Sequence, residues 1–162
     1  MTLLKSPYET TLSESWAWAI NELEQTLAHP QGRDLRPLVD LARRVGSTMY
    51  GQSYRAGTSL RQRLVLSTAA RHGLEDEADI TVGIERMSHG GCGFCILYHG
   101  GADWSQAVGA LVRTYGTDDH HIIEANLRRD LAGYYYPCEF AEGWETLQPL
   151  LVRLWDETHP KL

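Results

Sequence analysis

The chain is poor in cysteine, carries only a modest excess of one charge and has no long apolar run, and each shortfall removes a class of protein. No apolar stretch approaches the ~20 residues that span a bilayer, so no transmembrane helix is expected. The start, Met1-Thr2-Leu3-Leu4-Lys5-Ser6-Pro7, lacks an apolar core of signal-peptide length, and no Asn-x-Ser/Thr acceptor occurs. Three cysteines are too few, and odd in number, for a disulfide framework. Together these features predict free thiols in a reducing cytoplasm. A Walker lysine loop, G-x-S-x-G, G-x-G-x-x-G and H-E-x-x-H are all missing, so the common signatures of nucleotide hydrolysis, ester hydrolysis, dinucleotide binding and zinc proteolysis are absent.

The formal charge is −6, and the 15 Lys and Arg residues are mostly arginine and scattered. Nucleic-acid binders usually gather cations into a patch, so no nucleic-acid partner is expected. At 162 residues, 43% apolar and 22% charged, the chain fits one globular domain over 1–162 with a sizeable core.

Hydrophobic spacing predicts an α+β domain dominated by about six helices on a small antiparallel sheet. The first helix runs from Thr11, with Glu14 completing a capping pattern, to Ala28, and buries Trp16, Ile20, Leu23 and Leu27. A second starts near Asp34 with Pro37 in its first turn, buries Leu35, Leu38, Ala42, Val45 and Met49, and ends at Gly51. Thr58 or Ser59 opens a third that Gly73 ends; the stretch 63–68 also fits a short strand. Further helices are predicted over Asp103–Gly116 (Trp104, Val108, Leu111, Tyr115), over Thr117–Gly133 (Ile123, Leu127, Leu131), and from Thr146 with Pro149 in the first turn. The last buries Leu147, Leu150, Leu151, Leu154 and Trp155.

Between them Ile80, Val82 and Ile84 alternate with polar residues, and 92–99 is apolar throughout. This predicts a hairpin near 80–99. A third strand near 134–138 would lie at an edge, because Pro137 cannot donate to a ladder.

His89, Cys92, Cys95 and His99 carry the strongest hint of chemistry. On a strand, however, Cys92 and Cys95 face opposite ways, with Cα atoms ~10 Å apart at ~3.3 Å per residue. A disulfide needs less than ~7 Å, and no second cysteine pair follows at zinc-finger distance. No metal and no cofactor are therefore expected. The rival is a metal- or thiol-dependent enzyme using these four residues with His120, His121 and Cys138. Asp118 and Asp119 suit a helix start, and adjacent helical residues such as His120 and His121 diverge by ~100°.

Arg55, Gly57, Thr58, Ser59 and Arg61 would surround a helix N-terminus and could hold a small anion, making a sensor the third option. Tyr134, Tyr135, Tyr136, Phe140 and Trp144 alternate with Glu139, Glu142 and Glu145. Three consecutive tyrosines cannot all face inward, and exposed rings beside carboxylates suit a protein partner with a basic surface. The leading expectation is a non-catalytic, cytoplasmic protein-binding module: an adaptor, an inhibitor or an antitoxin-like neutraliser. It would have no membrane and no nucleic-acid partner, and self-association is open to it.

Overall fold

The computed structural model describes residues 10–29, 34–68, 78–99, 109–110, 112–114, 116 and 134–159. Helix α1 covers Leu12–Ala28, α2 Arg36–Gly46 and α3 Tyr50–Ser53. Strands β1 (Arg55–Ser59), β2 (Arg63–Ser67), β3 (Asp79–Arg86), β4 (Cys92–His99) and β5 (Tyr135–Cys138) follow, then a 3₁₀ turn at Phe140–Glu142 and helix α4 at Gly143–Thr158. The strands form one antiparallel sheet in the order β1-β2-β3-β4-β5. No helix among the described residues is long and apolar enough to cross a membrane.

Local chemistry accounts for the helix starts. Thr11 Oγ1 accepts the Glu14 amide at 3.3 Å and donates to Glu14 Oε1 at 3.0 Å, the expected start of α1. Asp34 accepts the Arg36 amide at 3.2 Å and the Arg36 side chain at 2.8 and 2.6 Å, and these bonds hold its carboxyl at about 2 against an ordinary 3.8. Helix α4 begins three residues before the predicted Thr146, so Pro149 lies in its second turn, exposed on the solvent side. Gly143 makes that earlier start possible: a Cβ there would lie 2.5 Å from Phe94 Cε2.

The predicted hairpin is β3–β4, with Ile84 opposite Phe94 and Ile80 opposite Tyr98. Gly90, at φ 94°, turns the connector, and the Met87 amide donates to the Gly91 carbonyl at 2.7 Å. The Tyr134 segment does supply an edge strand, β5, paired with β4.

The helix predicted from Thr58 or Ser59 to Gly73 is overturned: β1 and β2 occupy Arg55–Ser67 as a hairpin. Its turn uses Leu60 and Arg61 at φ 55° and 56°, closed by the Gln62 amide donating to the Ser59 carbonyl at 3.1 Å. A hairpin turn of that geometry ordinarily carries Asn or Gly, and neither stands here. The sheet is consequently larger than the two or three strands predicted. Residues 109–110 and 112–114 are helical, and Gly116, at φ 64°, donates to the Val112 carbonyl as a closing glycine. The helix predicted over 117–133 lies outside the described residues.

Pairing register assigns the sheet two unlike faces. Ala56, Leu64, Leu66, Val82, Ile96 and Tyr98 share one face, where α1, α2 and α4 cover them to form the core. Ser59, Arg63, Asp79, Glu85, Cys95 and His99 share the other. Helix α1 also shields the β1 edge: Ser15 Oγ accepts the Ala56 amide at 3.0 Å, and Trp16 Nε1 donates to the Tyr54 carbonyl at 2.9 Å.

Candidate functional site

The most distinctive surface is a groove between α3 and the outer flank of α4. Helix α2 stops at Gly46 rather than Gly51, and the chain doubles back so tightly that a Cβ on Gly51 would lie 2.1 Å from the Gly46 carbonyl oxygen. Thr48 secures the bend, donating to the Val45 carbonyl at 2.6 Å and accepting the Tyr50 amide at 3.2 Å. The reversal turns Met49 outward, where it is 75% exposed, instead of continuing the buried stripe of α2 as predicted.

On α4 the inner stripe Leu147, Leu150, Leu151 and Leu154 is buried. Val152 and Trp155 fall outside it and remain 47% and 39% exposed, so the expected burial of Trp155 is also corrected. A buried helical stripe is only about 100° wide, and α4 carries more apolar residues than fit within it.

Aromatic rings bridge the two elements. Trp144 meets Tyr50 edge-on at 5.9 Å, Tyr50 meets Tyr54 at 5.8 Å, Tyr54 meets Trp155 at 5.9 Å, and Trp155 stacks on His159 at 3.9 Å. The three Tyr and Trp separations, 5.8–5.9 Å, lie in the attractive range for tilted and edge-to-face rings, and the Trp155–His159 pair is a closer parallel stack. Tyr54 anchors the row, since it is buried and its hydroxyl donates to the Leu151 carbonyl. Burial, with smaller contributions from Tyr50 and Asp156, pushes its phenol well above the ordinary range, so it stays protonated. Met49, Tyr50, Ser53, Tyr54, Val152, Trp155 and Asp156 line a hollow of about 330 Å³. Beyond Trp144 a second hollow, about 380 Å³, is lined by Pro37, Asp40, Leu41, Arg44, Phe94, Phe140 and Ala141. Arg44 lies over the Trp144 ring at 5.4 Å.

The predicted aromatic set does not form one surface. Tyr135 points to the other sheet face and donates its hydroxyl to Glu85. Tyr134, Tyr136 and Phe140 are half-buried against the core, with Phe140 edge-on to Phe94 at 4.9 Å. Trp144 is the member that reaches the groove.

The candidate metal and thiol residues are spread over the sheet. His89 Nδ1 accepts the Gly91 amide at 3.1 Å, and Nε2 faces Glu139 at 2.7 Å. His99, at the far end of β4, pairs with Asp79 at 2.7 Å. Cys92 is exposed near Asp34 and Phe140, and Cys95 is buried on the opposite face near Arg63 and Thr81. Cys138 is buried beside Phe94, and that burial pushes its thiol up. All three cysteines are free, and among the described residues no three His, Cys, Asp or Glu side chains gather as a metal set. His120 and His121 lie outside the described residues.

The helix terminus imagined for anion binding is replaced by strand β1. Its Arg55 donates to the Thr10 hydroxyl and carbonyl at 3.0 and 2.9 Å, and Arg61 pairs with Glu22 at 3.0 Å. Alternation puts Thr58 on the face opposite Gly57 and Ser59.

The groove residues that sequence reasoning missed are Met49, Tyr50, Val152 and Trp155. The excess apolar width of α4 is a signal for Val152 and Trp155, and nothing in the spacing marks Met49 or Tyr50. No protein-family model, no curated protein and no solved structure matches the chain.

Proposed function

We propose that this chain is a non-catalytic protein-binding module, acting as an adaptor, inhibitor or neutraliser, and that it docks its partner in the α3–α4 groove. The observation that carries this reading is the clustering of Met49, Val152 and Trp155, exposed and apolar, around one hollow backed by fixed rings. Isolated exposed apolar residues are ordinary, and it is their gathering around one hollow that supports a contact surface here. Tryptophan, tyrosine and arginine dominate interface energetics, and Trp144, Trp155, Tyr50 and Arg44 all lie along this edge. The buried Tyr54 anchor pre-orders the rings, which reduces the entropy lost on docking. Three free thiols support a reducing, cytoplasmic location.

The test is affinity capture on the immobilised full chain from its native host, with variants run in parallel. Met49→Ser and Trp155→Ala should lose one specific protein by at least tenfold, and Tyr135→Ala should retain it. Equal recovery on all of these, each shown to be folded by circular dichroism, would remove the groove as the docking site.

A further inference from the structure

We infer that the groove seats a lysine side chain of the partner, its ammonium against Asp156 and the rings of Tyr50 and Trp155 and its alkyl stem along Met49 and Val152. This rests on the groove being the docking site. Aromatic faces attract cations within about 6 Å of the ring centroid, and a nearby carboxylate adds to the attraction. The hollow offers both features, because Asp156 lines it together with Tyr50, Tyr54 and Trp155.

Two other rings of the molecule show the contrast. Trp144 already has the Arg44 guanidinium at 5.4 Å, and Tyr98 has the Arg153 guanidinium at 4.0 Å. Among the described residues, the Tyr50–Trp155 hollow has a carboxylate in its lining and no Lys or Arg. Asp156 has no ion-pair partner among them either, whereas Glu157 on the next position is bonded to both Arg153 and Tyr98. The Trp155 ring is kept in place by His159, stacked at 3.9 Å and 15°.

Lysine fits this site better than arginine. A guanidinium also stacks on rings and pairs with carboxylates but carries a shorter apolar stem, while an ammonium is a compact charge on a flexible four-carbon stem. Met49 and Val152 supply apolar surface for such a stem, with the charged head at the rim. A chain of formal charge −6 also favours encounter with a basic segment.

The experiment is an NMR titration of the full chain with N-acetyl-lysine amide, N-acetyl-norleucine amide and N-acetyl-arginine amide, read at the Trp155 indole N–H. The lysine form should bind about two- to fivefold tighter than norleucine, a range set by exposed cation–ring contacts. Asp156→Asn should erase most of that preference, and Val152→Lys, which installs a resident ammonium at an exposed position, should abolish it. Equal binding of lysine and norleucine, no effect of Asp156→Asn, or tighter binding of arginine would each overturn the inference. Should partner capture still depend on Met49 and Trp155 in that case, the docking reading stands and only the lysine assignment falls. Capture that ignores those two residues would sink the docking reading itself.

Discussion

The inner flank of α4 presents Leu147, Leu150, Leu151 and Leu154 to the sheet and loses nearly all contact with water, while the outer flank presents Val152 and Trp155 and keeps them 47% and 39% exposed. The side chains are alike in chemistry, and what differs is the surface opposite them. The inner flank meets a five-stranded sheet and α2. Among the described residues, the outer flank meets the short α3 and the outward Met49. Burial on one side serves stability, and exposure on the other leaves apolar area whose burial by a second molecule would count only after the costs of association are met.

Substitutions on the two flanks should therefore separate stability from binding. The largest effect is expected for Leu151→Ala, which opens a cavity in the core and should cost about 2–5 kcal/mol in urea unfolding. Gly51→Ala comes next. Its Cβ would collide with the Gly46 carbonyl, so it should cost about 1–3 kcal/mol and, by displacing α3, weaken partner capture as well. Tyr54→Phe removes the donor to the Leu151 carbonyl and should cost about 1 kcal/mol, with capture reduced because the ring row loses its anchor. Met49→Ser should change stability by less than about 0.5 kcal/mol, since the side chain is already in water, while still abolishing capture. Thermal unfolding of these four variants beside their capture yields would show whether the two flanks are as independent as the geometry implies.

Much of the scaffold was legible beforehand, and the reasons are local. Thr11 with Glu14, Asp34 with Pro37, and the alternation of Ile80, Val82 and Ile84 are short-range signals, and α1, α2 and β3 follow them. The β1–β2 hairpin is hidden in the sequence because its turn is built from Leu60 and Arg61, residues that seldom adopt positive φ and give no turn signature. Without a visible turn, 63–68 fits a short strand but also reads as part of a helix that Gly73 ends, and β2 realises the strand.

The candidate site was less legible than the fold. Trp144 is among the residues expected at a contact surface, but Met49 and Trp155 continue helical spacing from buried positions and read as core. The tertiary reversal at Gly51 turns Met49 outward, and Trp155 lies outside the buried stripe of α4. The Tyr134–Tyr136 run shows only that three consecutive rings cannot all face inward; strand alternation sends Tyr135 to Glu85 on the far face and keeps its neighbours against the core.

The most direct measurement pairs the unfolding free energy of the Met49→Ser/Val152→Ser double variant with its capture of the partner that the wild-type chain retains. Stability within about 1 kcal/mol of wild type together with at least a tenfold loss of capture is the predicted result. Undiminished capture by a folded double variant, or a loss of stability on the scale of Leu151→Ala, would contradict the assignment of the outer flank to binding.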